Sequence, residues 1–356
     1  MNRAAFDINA FWFCAVLLHI LGSIVFSVMG LLPLGTLFCL AALWGTYIHL
    51  SDKKRQSMFI ALAGWLISGG VILTMPISYG SSLLMNLLML LLVYYVCRQR
   101  EVTLWKYCAF KKIPAVQGGI ILLLTFVFLV IASYINAVSM LFVENRTAAS
   151  LQGTGDIFLQ SVLVFAVLPA ITEEILFRGY IFRGIADKNV AVIISAVMFA
   201  LLHMNFNQMS YAFIMGLLFA LLVRSTDNLS VSVLVHLLFN LYNVFTAAFP
   251  ENPAAVFFQT LNIGGYKLIG ASLTDSSGEY SFQLMGIGSV IVILALSAAA
   301  VLLWLLKKSN GNIAQSQRTT QENSMQKEGI SWKPDRTFWG SCAACLVIAV
   351  SYEFLL

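Results

Sequence analysis

Three short stretches hold most of the ionisable side chains that fall inside the apolar segments of this chain. They are Glu173, Glu174 and Arg178 in PAITEEILFRGY, Phe199 and His203 in SAVMFALLHMNF, and His236 and Asn240 in SVSVLVHLLFNLYN. On a helix Glu174 and Arg178 stand one turn apart on the same face, which suits an ion pair. Glu173 is turned about 100° from Glu174 and is five positions from Arg178, so it is the less neutralised carboxylate. That makes Glu173 the candidate for accepting and returning a proton. His236 and Asn240 are also one turn apart, and two polar groups projecting side by side can hold a developing oxyanion.

Each set also has a plainer use. Glu174 with Arg178 can be a structural bridge at a helix end, with Arg178 reaching toward the interface. His203 can be a core histidine, and His236 with Asn240 can tie helices together. Three such sets in a chain otherwise poor in intramembrane ionisable groups favour a functional site, because each buried charge must be offset.

The elements that must position them are membrane helices. Of 356 residues 60% are hydrophobic and 10% are charged, with a mean hydropathy of +0.86, where a soluble domain has about a quarter charged. The apolar stretches are long enough to span as helices and lack the alternation a barrel requires. The expected fold is an all-α, polytopic transmembrane bundle of about eleven spans. They centre on residues 8–29, 31–50, 57–75, 80–97, 115–143, 157–177, 190–205, 208–223, 229–249, 284–306 and 338–356. The first apolar run is too long for a secretory signal and reads as an uncleaved helix.

Cytoplasmic loops collect Lys and Arg. With the N-terminus cytoplasmic and the C-terminus external, 19 of the 21 basic residues fall inside, leaving Arg146 and Lys267 outside. The net charge of +5 is therefore a topology signal, and nucleic acid is not an expected partner. The six cysteines are scattered, and Cys342 with Cys345 has no second pair to complete a zinc site. They read as small buried hydrophobes. Asn145, Arg146 and Thr147 match a glycosylation acceptor, a weak pattern.

Three regions are expected. Residues 1–112 form a four-span accessory module that carries His19 and His49 and ends in the basic stretch RQREVTLWKYCAFKK. Residues 113–306 hold the reactive helices. Residues 307–356 comprise a polar linker and a last span. The chain has no evident internal repeat, which weighs against a proton-coupled transporter.

At its reactive residues the chain resembles the CPBP family of intramembrane proteases, which includes the type II CAAX prenyl endopeptidases and bacteriocin-processing or self-immunity proteins. The family pattern is EExxxR, FxxxH and HxxxN or HxxxD on separate helices. Here it reads Glu173-Glu174-Ile-Leu-Phe-Arg178, then Phe199-Ala-Leu-Leu-His203, then His236-Leu-Leu-Phe-Asn240. The resemblance covers about residues 115 to 306. It implies hydrolysis of a peptide bond in a membrane cavity open toward the cytoplasm. Glu173 with His203 would activate water, His236 with Asn240 would stabilise the oxyanion, and Glu174 with Arg178 would set the position of Glu173.

Glu173, His203 and His236 could supply three zinc ligands, but no HExxH pair is present. A metal-free glutamate mechanism is the expectation, with a divalent metal such as zinc as its alternative. The expected substrate is a membrane-associated peptide or protein, either prenylated or a bacterial peptide precursor, at a bacterial plasma membrane. A different class of function is a catalytically dispensable scaffold that binds a partner membrane protein through the first four spans.

Overall fold

The computed structural model describes residues 8–29, 77–99, 103–143, 155–257, 282–317 and 332–354. The expected spans at 31–50 and 57–75 lie outside them, as do His49, Lys53, Lys54, Arg55, Arg146 and Lys267. Among the described residues the chain is helical and has no strand. The helices are α1 (Ile8–Met29), α2 (Ile77–Gln99), the short α3 (Leu104–Tyr107), α4 (Ala115–Ser139) and α5 (Gly155–Gly184). They continue with α6 (Lys188–Leu202), α7 (Phe206–Thr226), α8 (Leu229–Ala248), α9 (Phe282–Gln317) and α10 (Arg336–Phe354).

Five of these are long and apolar enough to cross a membrane: α4, α5, α7, α8 and the Gly288–Gly311 part of α9. Lys188–Leu202 is a shorter apolar helix, and α1, α2 and α10 are apolar over Ile8–Ile20, Met85–Arg98 and Arg336–Ser351. Of the eleven expected spans, five are thus supported by length and composition among the described residues. The protein is nonetheless a helical membrane protein, since these faces have no other solvent that suits them.

Polar residues at the ends of the apolar runs set where helices begin. Asp187 caps α6 by accepting from the backbone N–H of Asn189 at 2.8 Å. Asn205 caps α7 through Gln208 at 3.0 Å, and Asn228 caps α8 through Ser230 at 3.0 Å. Each satisfies a backbone donor that a helix start would leave unpaired.

Helix α5 is irregular where it matters most. A π-helical segment over Val162–Val167 gives way to α-helix over Leu168–Glu173, and a second π segment runs over Glu174–Ile181. Pro169 lacks an N–H and crowds the preceding turn, which the looser π turns accommodate. The adjacent glutamates therefore straddle a change of helical winding.

Two apolar clusters flank α7. One joins Phe11, Trp12 and Val16 of α1, Val93 and Val96 of α2, Phe177 and Tyr180 of α5, Phe199 of α6, and Phe338 and Cys345 of α10. The other joins Leu124 and Phe128 of α4, Leu218 and Phe219 of α7, Val235 and Phe239 of α8, and Ala299 of α9. The N-terminal helices and the last helix thus share a core with the reactive helices. Trp332 donates to Asn9 at 3.0 Å and Asn9 donates to the Lys333 carbonyl at 3.2 Å, tying α1 to the approach of α10.

Close approach of α7 to α6 depends on Gly216. A Cβ there would stand 2.9 Å from the Ala196 Cα and 3.0 Å from its Cβ. Backbone cannot swing aside as a flexible side chain can, so Gly216→Ala is expected to cost about 1–3 kcal/mol. Ala196→Gly in the same chain should recover part of it. Loss of folded protein on heating in detergent, read by fluorescence-detected size exclusion, checks both.

One end of the bundle is held by a polar node. Asp227, in the left-handed conformation at φ 48° where α7 turns into α8, accepts from Arg183 and Lys111, each at 2.7 Å. The Lys111 backbone N–H donates to Asn228 at 3.1 Å, and the Leu229 N–H donates to the Ala109 carbonyl at 3.2 Å. Burial pushes the Asp227 carboxyl up, but Lys111 and Arg183 more than reverse this and hold it below the ordinary carboxylate range. The stability it adds is complete above the unfolded value of about 3.9 and is lost as pH falls through the lower folded value. The stability difference between the parent and Asp227→Asn should thus stay constant from neutral pH to about 4 and shrink only below it. Thermal unfolding across pH 2.5 to 7 tests this, and shrinkage beginning near pH 6 would contradict it. In the same region burial pushes the Cys108 thiol up to about 12, consistent with its packing as a small hydrophobe against Gly179.

Candidate active site

Glu174 organises the site. Its side chain and that of Arg178 are both fully buried, and the Arg178 Nη1 donates to Glu174 Oε1 at 2.8 Å. Arg178 Nη2 donates to the Gly216 carbonyl at 3.0 Å, so the close α6–α7 approach also supplies an acceptor. The guanidinium carbon lies 4.4 Å from the Phe199 ring centre, 5.2 Å from Phe219 and 5.8 Å from Phe177. Such ring faces stabilise a cation that water cannot reach. The plainer reading of the sequence had Arg178 reaching toward the interface. Instead its side chain is fully buried, with Glu174 and the Gly216 carbonyl accepting from its two terminal nitrogens and three aromatic rings around it, while its Nε has no protein acceptor.

Two further donors converge on Glu174. Ser232 of α8 donates to Oε2 at 2.5 Å, and His236 Nδ1 stands 3.0 Å from Oε1. A buried carboxylate with three charge-assisted or hydroxyl donors stays ionised and fixes whatever it holds. A carboxylate only accepts, so His236 Nδ1 must carry the proton. Its other nitrogen, Nε2, then faces Glu173 Oε2 at 3.7 Å, and the ring stacks on Phe219 with centroids 4.7 Å apart.

Glu173 differs from its neighbour in every respect that governs reactivity. Its side chain keeps 27% of its surface exposed, and its ion-pair contact is the long one to His236. At 3.7 Å no direct hydrogen bond forms.

His203 terminates α6, and its Nδ1 lies 2.8 Å from the Phe199 carbonyl. A carbonyl also only accepts, so the proton again sits on Nδ1, leaving Nε2 with the lone pair in the neutral ring. Phe199 connects the two histidines, its ring centre lying 5.0 Å from His203 and 6.0 Å from His236. Among the described residues Glu173 and His203 make no direct hydrogen bond or ion pair. Asn240 is half-buried, one turn beyond His236 on α8. The structure thus gathers Glu173, Glu174, Arg178 and His236 tightly, with His203 and Asn240 set further out.

Ser232 is the member sequence reading passed over. It was legible in principle, since Ser232, His236 and Asn240 repeat every four residues along one face of SVSVLVHLLFN. Phe219 and Gly216 had no such signal, because their roles arise only where α7 meets α5. His19 of α1 lies near enough to His203 for their charges to interact, a juxtaposition that no local pattern encodes.

Zinc was one possible expectation for Glu173, His203 and His236. Among the described residues no three His, Cys, Asp or Glu side chains are grouped to hold a metal ion as they stand. The Nδ1 atom of each of the two histidines is engaged by a protein acceptor, which leaves both Nε2 atoms with their lone pairs in the neutral rings.

Residues 155–242, from the start of α5 into α8, match the type II CAAX prenyl endopeptidase Rce1-like family. All six residues of the expected site fall within that stretch. The chain is also similar to the UPF0177 protein YxdF of Lactococcus lactis subsp. lactis (strain IL1403), at 46% identity over 44 residues. That match covers 12% of this chain and 25% of the lactococcal protein. No solved structure matches the chain. The segment that builds the site, residues 155–242 with its EExxxR, FxxxH and HxxxN residues, is thus similar to the Rce1-like type II CAAX prenyl endopeptidases.

Proposed function

We propose that this site hydrolyses a peptide bond of a membrane-associated peptide or protein, as an intramembrane endopeptidase that needs no metal. What carries the reading is the contrast within one dipeptide. Glu174 is fully buried and saturated with donors, whereas Glu173 is partly exposed, loosely partnered and faced by His236 Nε2. A purely structural cluster would have no use for the second arrangement, since an unpaired carboxylate in a membrane helix is costly.

In the proposed reaction a water between Glu173 and His203 Nε2 gives up a proton as its oxygen attacks the carbonyl carbon. The tetrahedral oxyanion is held by His236, with Nε2 protonated, and by the Asn240 amide. Collapse breaks the C–N bond, and the proton taken from water passes to the leaving nitrogen, yielding a carboxyl and an amine. Glu174 and Arg178 touch no reacting atom. They hold the His236 ring, an imidazolium in this step, with Nδ1 on Glu174 and Nε2 aimed at the reaction.

The proposed setting is a bacterial plasma membrane, with the N-terminus cytoplasmic and the C-terminus external, and the lactococcal relative favours a bacterial source. The proposed substrate class is a peptide precursor or a prenylated protein that reaches the site from the bilayer. To test this, purified protein in proteoliposomes would be given a membrane-peptide fraction in water enriched in oxygen-18. New C-termini carrying one oxygen-18 with the parent, and none with Glu173→Ala, are expected. Equal yields from both would shift the weight to a scaffold whose glutamate is dispensable.

A further inference from the structure

Helix α2 lies outside the family-matching stretch, yet it grips α5 at two polar points on either side of the first π segment. Tyr79 shares a buried hydrogen bond of 2.8 Å with Ser161, just before Val162–Val167. Asn86 is hydrogen-bonded to Thr172, the residue before Glu173. The Tyr79 ring also meets Phe165 edge-on at 4.7 Å, within that π segment. Irregular helices are defined less by their own hydrogen bonds than regular ones, so an external partner decides where such a segment sits.

Proton accounting gives the Asn86 contact a direction. The Asn86 amide nitrogen donates to the Ser82 carbonyl at 2.8 Å. That carbonyl can only accept, so the amide oxygen must be the atom turned toward Thr172. Two oxygens cannot face each other without a proton between them. The Thr172 hydroxyl therefore gives its one proton to Asn86, although the Leu168 carbonyl also lies 2.8 Å away. An isolated helix would send that proton back to Leu168, four residues earlier. The Thr172 side chain is buried, so water does not compete.

We infer that Asn86 is a positioning residue for Glu173: through Thr172 it anchors the short α-helical segment Leu168–Glu173 between two π segments and so fixes where the Glu173 carboxylate stands against His236. The N-terminal helices thereby belong to the working site. This rests on Glu173 being the reacting carboxylate, but its test does not depend on turnover.

The experiment measures how fast a membrane-permeant carbodiimide labels Glu173, read by peptide mass spectrometry over pH 5 to 9 in native membranes. The variants are Asn86→Leu, Thr172→Val, their combination and Thr172→Ser, each first matched for accumulation. The labelling profile should shift several-fold and equally in Asn86→Leu and Thr172→Val, with no further shift when they are combined. Thr172→Ser keeps the hydroxyl and should restore the parent profile. Parent-like labelling in both single variants, or shifts that multiply in the combination, would overturn the inference. Where cleavage can be followed, Asn86→Leu and Thr172→Val should lower kcat more than they raise KM. Absent cleavage by the parent with the labelling pattern intact would overturn the peptidase reading and leave the coupling of Asn86 to Glu173 standing.

Discussion

Arg178→Met is expected to destabilise the folded protein by about 3–5 kcal/mol, the usual cost of removing one partner from a buried ion pair. The loss is large because no other permanently charged cation among the described residues pairs with Glu174. Glu174 would keep Ser232 and His236 but lose its permanent cation, and the Gly216 carbonyl would lose its donor. The space among Phe177, Phe199 and Phe219 would be filled by a side chain with no charge to offer the ring faces. Glu174→Gln should be damaging for the converse reason, because Arg178 would stay buried and charged. Removing both charges together, as Glu174→Gln with Arg178→Met, should cost less than the sum of the single changes, since no isolated charge remains. Heat stability in detergent across these three variants reads the coupling directly. Additive losses would mean that the two residues do not act as a pair.

Glu173 should behave in the opposite way. Glu173→Gln is expected to leave folding close to that of the parent, because the side chain is partly exposed and its one ion-pair contact is long. Turnover should fall by about 10²–10⁴-fold, the range associated with losing a general base. The amide keeps the shape and a hydrogen-bonding oxygen but cannot take a proton at any accessible pH. Two neighbouring glutamates would then separate cleanly, one governing stability and the other rate. Cleavage kinetics and melting measured on the same preparations decide this, and a Glu173→Gln protein that melts as early as Arg178→Met would contradict the division.

How much of this was readable in the sequence differs from residue to residue. The apolar runs located most of the described helices to within a few residues, helped by the capping Asp and Asn residues, whereas α5 and α9 run well past the expected ends at 177 and 306, to Gly184 and Gln317. The number of membrane-crossing helices was less readable, since hydropathy alone does not tell a span from a shorter apolar helix buried against its neighbours. Lys188–Leu202 is such a case, short and packed between α5 and α7. The Glu174–Arg178 pair follows from spacing, and it forms even though the helix there is π-wound and not α-wound.

The rest depends on which helices touch. The spacing of His236 and Asn240 suggested a side-by-side pair, but not that Glu174 would hold His236 from another helix and turn its Nε2 toward Glu173. Nothing local foretells that Gly216 offers its carbonyl to Arg178 or that Asn86 takes the Thr172 proton. These contacts join segments far apart in the chain, and a single sequence holds no record of such approaches. The same is true of α1, α2 and α10, whose apolar faces are legible while their place in one core with the reactive helices is not.

Comparing the membrane and secreted peptidomes of cells carrying the parent protein and Glu173→Ala, at matched accumulation, tests the central claim most directly. The account predicts at least one membrane-derived peptide with a new terminus that is present with the parent and absent with the variant, while its uncleaved precursor builds up. Identical peptidomes from the two strains would contradict it.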